Sequence, residues 1–115
     1  MALIALFEQR QFREALEHAA QGGQALHLME WPGPDLPGVP RCFRGRRYAH
    51  LLDQDRNRLI QTAQRFGICQ IKTHTAGTRY QHVDLCGLPL ERALEQIDWD
   101  RVIDTDWLPF ATETR

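Results

Sequence analysis

No apolar run in the 115-residue chain approaches the ~20 residues that a membrane-spanning helix needs. Its opening, Met1 to Glu8, has no cationic stretch ahead of the apolar residues and no small-residue cleavage site, so the sequence predicts a cytoplasmic protein. Cysteine is scarce. Cys42, Cys69 and Cys86 are an odd number at wide spacings, which fits neither a disulfide framework nor a CxxC zinc pattern and predicts reduced thiols. Neither GxGxxG nor GxxxxGK[ST] occurs, which excludes the common nucleotide cradles, and no GxSxG turn presents a serine nucleophile. Repeats and low-complexity tracts are absent. With 43% hydrophobic and 25% charged residues the composition is that of a globular protein, and a chain of this length can bury roughly two-thirds of its unfolded surface. One domain over residues 1–115 is expected.

Lysine is the other absence, because Lys72 is the single lysine among 14 basic residues. The net charge of -1 conceals an uneven layout: residues 1–40 sum to -3, residues 41–80 to +7 and residues 81–115 to -5. Arginine offers a planar fork that grips carboxylate or phosphate at two points. The basic middle therefore either pairs with the acidic flanks inside the fold or forms a surface for anions.

Apolar spacing suggests alternating strands and helices. Leu3 to Phe7 reads as a buried strand. From Gln9 to Gln21, Phe12, Ala15, Leu16, Ala19 and Ala20 fall at helical spacing, and Gly22-Gly23 stops the helix. Ala25 to Trp31 partly alternates like a strand, and Pro32 to Pro40, with four prolines and two glycines, can be neither helix nor central strand. A helix is expected from Asp53 or Asp55 to Phe66, a strand over Ile68 to Lys72, a loop from Thr73 to Thr78 and a short strand from Tyr80 to Leu85. Pro89 suits the first turn of a helix reaching Gln96, and Trp99 to Asp104 reads as a last strand. The expected architecture is α/β: a small single-layer sheet packed by about three helices.

Two groups of residues carry chemistry. His82 and Asp84 are spaced i, i+2, which on a strand points both side chains to one face. An imidazole beside a carboxylate can ligate a divalent metal, or the carboxylate can orient the imidazole as a base. His50 and Asp53, at i, i+3, share a face if the helix begins early, and His74 lies in a glycine-containing loop. Asp53 or Asp55 equally suits an N-cap. The second group is Arg41, Arg44, Arg46 and Arg47, interleaved with Phe43 and Tyr48. Arginines bind phosphates and aromatics stack on bases, although a solvated loop has the same composition. Cys69 falls in an apolar stretch and reads as inert core.

Arg47-Tyr48-Ala49-His50-Leu51-Leu52-Asp53, followed by Leu59 to Ile68, resembles an uncharacterised bacterial and phage family, domain of unknown function 4031. That family has a histidine shortly before an acid and a helix ending in an L-x-x-x-A-x-x-x-G-like pattern. A histidine in a short glycine loop comes next, then H-Y-D before a helix. His74-Thr75-Ala76-Gly77-Thr78 and His82-Val83-Asp84 stand in the last two places, with Val83 where the family has an aromatic residue. The resemblance spans roughly residues 45–96. It implies His50, Asp53 (or Asp55), His74, His82 and Asp84 as recurrent polar positions and supplies no activity.

The resulting expectation is a divalent-metal site serving hydrolysis of a phosphate-containing substrate. Metal ligands or bases would come from His50, Asp53, His74, His82 and Asp84, and Arg79 with the arginines of 41–47 would hold the phosphate. The alternative is a non-enzymatic module whose Arg-rich segment binds nucleic acid or an acidic protein.

Overall fold

The computed structural model describes residues 3–30 and 47–99. Within them four strands form one sheet in the order β1-β2-β3-β4: Ala5–Phe7, Ala25–Glu30, Arg47–Leu52 and His82–Leu85. The β1–β2 pair is parallel and the other two pairs are antiparallel. A parallel pair needs a crossover, and a single 3-10 turn (Gln9–Gln11) followed by α1 (Phe12–Ala20) supplies it. Helix α2 (Arg56–Arg65) joins β3 to the loop before β4, and α3 (Gly87–Leu94) follows β4. The fold is α/β, with three helices on a mixed four-stranded sheet.

Side-chain alternation gives the sheet two unlike faces. On one, Leu26, Leu28, Ala49, Leu51, Val83 and Leu85 meet across the strands and pack against Leu59, Ala63 and Phe66 and against Leu90, Ala93 and Leu94. Each leucine buried there contributes about 1.5–3 kcal/mol. On the other face α1 covers one end only, where Ala15, Leu16 and Ala19 meet Ala25 and Leu52. Along the same face Phe7, His27, His50 and Asp84 are each paired with the next across adjacent strands, with Phe7 packed on α1 and His27 buried under the 3-10 turn and Phe12. Leu52 pairs with His82, and His82 pairs with His74 through an isolated bridge. Three histidines and a carboxylate (His50, His74, His82 and Asp84) therefore lie partly exposed on this face, with His27 buried at its border with the crossover.

Local signals account for most boundaries. Gly22 ends the first helix at φ 95° and Gly67 ends the second at φ 94°, a conformation that costs glycine little. Asp55 caps α2 by accepting from the Arg58 backbone N–H at 3.1 Å.

Several expectations are corrected. Residues 68–72 form no strand. Ile68 and Ile71 both turn inward against the core, and positions three apart cannot share one face of a strand. Cys69 is accordingly exposed, with a free thiol, and is no core residue. Cys86 is disulfide-bonded, against the expectation of reduced thiols throughout. Residues 47–52 are a strand, so His50 is not on an early helical turn and the i, i+3 spacing sends His50 and Asp53 to opposite sides. Trp99 lies in no strand; the rest of that expected strand and the proline-rich segment lie outside the described residues. No helix among the described residues is long and apolar enough to cross a membrane.

Candidate metal centre

Register builds the site. Asp84 stands opposite His50 on the neighbouring strand, and His82 precedes Asp84 by two residues on the same face. The third imidazole arrives through a tight hairpin. His74 and His82 exchange backbone hydrogen bonds of 2.8 and 3.1 Å, so the loop returns His74 beside them. Thr75 takes the left-handed conformation (φ 49°), rare for a β-branched residue, and its hydroxyl lies 2.7 Å from the carbonyls of His74 and Tyr80. Buried Gln81 fastens the hairpin from below. Its amide donates to the Asp53 carbonyl at 2.8 Å, and its oxygen accepts from the Gly77 N–H at 2.9 Å.

Three imidazoles converge on one carboxylate. His82 Nε2 lies 3.3 Å and His50 Nε2 3.5 Å from Asp84 Oδ1, and His74 Nε2 lies 3.3 Å from Oδ2. Ligand atoms of His50, His82 and Asp84 all fall within 4.8 Å of one another. Two ligands each about 2.1 Å from a tetrahedral metal are about 3.4 Å apart, close to the spacings of Asp84 to His50 and His82. The ring centroids of His50 and His82 are 4.4 Å apart, and those of His74 and His82 5.1 Å. His50, His82 and Asp84 are half-buried, with side-chain exposures of 19%, 17% and 27%.

Hydrogen bonding fixes which nitrogens are free. His82 Nδ1 is 2.7 Å from the Tyr80 carbonyl, which only accepts, so Nδ1 carries the proton and donates. Its Nε2 lone pair then faces the oxygens of Asp84. Two lone-pair-bearing atoms at that distance repel unless a positive particle lies between them, either a proton on Nε2 or a metal ion. Asp84 Oδ1 is itself buried and has no hydrogen-bond partner, with His82 Nε2 and His50 Nε2 as close contacts at 3.3 and 3.5 Å.

The titration behaviour follows from the same contacts. Burial opposes charge on His82, but the Asp84 carboxylate and the Tyr80 carbonyl outweigh it and raise its pKa above 6.5. Burial comes first at His50, and the positive charge of His82 adds to it, lowering the pKa to about 4 despite the nearby Asp84. Burial would raise the Asp84 carboxyl, yet the His82 imidazole beside it and the charges of the three histidines bring it below its usual value. In the metal-free protein, below the raised pKa of His82, one proton there beside ionised Asp84 meets the need for positive charge.

His27 belongs to this face although sequence reasoning missed it. It pairs with His50 across the strands, with ring centroids 5.7 Å apart. Its Nε2 donates to the Gln9 carbonyl at 2.9 Å, while Nδ1 is buried without a partner. Burial lowers its pKa and so keeps it neutral. The available signal was the alternation of Ala25, His27 and Met29 against Leu26 and Leu28.

The remaining candidates lie elsewhere. Asp53 is fully buried and outside the cluster; Arg58 grips it through Nε and Nη2 at 2.7 Å, and the Gln24 amide and the Asp55 N–H donate at 2.9 Å. Arg79 places its guanidinium 5.1 Å from the Tyr80 ring centroid. Arg47 makes an ion pair of 3.4 Å with Glu30. Arg41, Arg44 and Arg46 lie outside the described residues. Comparison of the chain with family models, with curated proteins and with solved structures returned no match.

Proposed function

We propose that His50, His82 and Asp84 bind a divalent metal ion, with His74 as a further ligand or base, and that the site hydrolyses a phosphate-containing substrate. The observation that carries this reading is the buried Asp84 Oδ1, without a hydrogen bond, and the Nε2 atoms of His50 and His82 within 3.5 Å of it. The donor set of imidazoles and a carboxylate suits zinc or another first-row divalent ion. Tyr80 acts on His82 as outer-shell partners act on metal-ligating histidines, fixing the tautomer and the ring. A metal bound there would acidify a coordinated water and polarise a phosphoryl oxygen. His74, the most exposed of the three imidazoles and beside Asp84 Oδ2, is placed to accept a proton. Arg79, in the same hairpin with its guanidinium over the Tyr80 ring, would supply the positive charge for a phosphate.

The likeness of residues 45–96 to domain of unknown function 4031 points to the same polar positions. A cytoplasmic setting belongs to this proposal too, and the bonded state of Cys86 weighs against it. The alternative, a module binding nucleic acid or an acidic protein through Arg41, Arg44, Arg46 and Arg47, predicts salt-dependent binding that survives His82→Ala. The deciding assay is hydrolysis of bis(4-nitrophenyl) phosphate with zinc or manganese. Metal-dependent turnover that disappears in His82→Ala supports the enzyme; no turnover with either metal contradicts the hydrolytic reading.

A further inference from the structure

Two aromatic rings stand in solvent at the edge of the histidine cluster. Phe12 opens α1 but turns away from the stripe that packs on the sheet, and it is 40% exposed; Tyr80 is 43% exposed. They lie far apart in sequence and stack on each other, with centroids 6.2 Å apart and planes 18° apart. The pair is linked to the histidine face at two points. The Phe12 ring lies 5.1 Å from that of His27, and the Tyr80 carbonyl holds His82. The guanidinium of Arg79 lies over the Tyr80 ring. Phe12 packs beside buried His27, yet neither ring belongs to the core clusters, and α1 is seated by Ala15, Leu16 and Ala19. A stacked aromatic pair in water with a cation beside it offers a flat, apolar, electron-rich face and a place for negative charge.

We propose that Phe12 and Tyr80 form a stacking platform for a nucleobase, so that the ligand of this face is a base-bearing phosphate ester. Its base lies on the aromatic pair and its phosphate lies toward Arg79 and the His/Asp cluster. The phosphate end rests on the metal reading above, whereas the base end rests on the rings alone. Stacking accepts any base because every base has a π-face, so the platform sets ligand class and not sequence. A sugar phosphate also has the anionic end but lacks the flat ring, and this difference makes the proposal testable.

The probe is 2-aminopurine riboside 5′-monophosphate, whose fluorescence is quenched when its base stacks. It is titrated into the full chain with and without zinc, and competed with AMP and with ribose 5-phosphate. The expected result is quenching that AMP reverses at a concentration roughly tenfold or more below that of ribose 5-phosphate. Phe12→Leu should lose the quenching while keeping the parent's zinc affinity, which also shows that it folds, and Tyr80→Leu should lose the quenching as well; Tyr80→Phe should retain it. Equal competition by AMP and ribose 5-phosphate, or unchanged quenching in both leucine variants, overturns the proposal. Quenching that persists in a protein with no zinc affinity upholds the platform and overturns the metal reading instead.

Discussion

Asp53 and Asp84 are carboxylates of one small sheet, the first just beyond the end of β3 and the second on β4. Asp53 has four hydrogen bonds, two from Arg58 and one each from Gln24 and the Asp55 N–H, so the protein itself supplies every donor its oxygens can use. Asp84 has three imidazoles at 3.3 to 3.5 Å and a buried oxygen with no hydrogen bond. A carboxylate saturated by donors is a joint. It ties the start of α2 to the Gly22–Gly23 turn, whose carbonyls accept from the same Arg58. A carboxylate facing nitrogen lone pairs needs a cation, and that separates a site from a joint.

The largest expected effect is on the saturated acid. Asp53→Ala removes the anion that Arg58 grips and one of the two bonds of the Gln24 amide, which still donates to Thr62 Oγ1. The loss should be about 2–3 kcal/mol, below the full value for a buried pair because Arg58 still reaches water. Urea denaturation measures it. Asp84→Ala in metal-free protein should cost less than about 1 kcal/mol, since Oδ1 has no hydrogen bond to lose. Equal losses would erase the distinction between the two acids.

Gln81 joins the two regions, which sharpens the comparison. Gln81→Ala frees the Gly77 loop from the Asp53 carbonyl and should cost about 1–2 kcal/mol. Hydrogen exchange should quicken at the backbone N–H groups of His74 and His82. Unchanged exchange there would mean that the hairpin holds His74 in place without Gln81.

A smaller effect comes with pH. Below 6.5 the unfolded chain protonates His50 whereas the folded protein resists until about 4, so this group turns against folding as pH falls through that window. The raised His82 has the opposite sign. Its contribution is complete below 6.5 and is lost as pH rises through the folded value. Lowered Asp84 contributes above 3.8, and this is lost as pH falls through its folded value. In metal-free protein, histidine NMR signals should show His82 titrating above 6.5 and His50 unchanged from about pH 8 to about pH 5. Titration of His50 near 6.5 would contradict the account of its burial.

Legibility in the sequence followed from periodicity. Helices α1, α2 and α3 were readable because Leu16, Leu59 and Leu90 recur with neighbours at helical spacing and because glycine or an acid marks an end. Strand β3 was not, since Arg-Tyr-Ala-His-Leu-Leu contains no β-branched residue and its identity depends on pairing with β2 and β4. The i, i+2 spacing correctly put His82 and Asp84 on one face. It could not choose between Asp53 and Asp55, because both follow β3 and only the contacts show Asp55 capping the helix and Asp53 gripped by Arg58. His27 escaped notice because its importance comes from its cross-strand partner, 23 positions further on.

The central claim is that the unsatisfied oxygen of Asp84 marks a metal site, and thermal melting with zinc or manganese tests it most directly. A ligand that binds the folded state at a hundred times its Kd adds about 2.7 kcal/mol of stability. The parent protein should therefore melt several degrees higher with one of these metals, and His82→Ala and Asp84→Ala, each folded without metal, should show no rise. A parent that does not respond, or a rise that persists in both variants, would contradict the account and leave His50, His82 and Asp84 as a structural cluster.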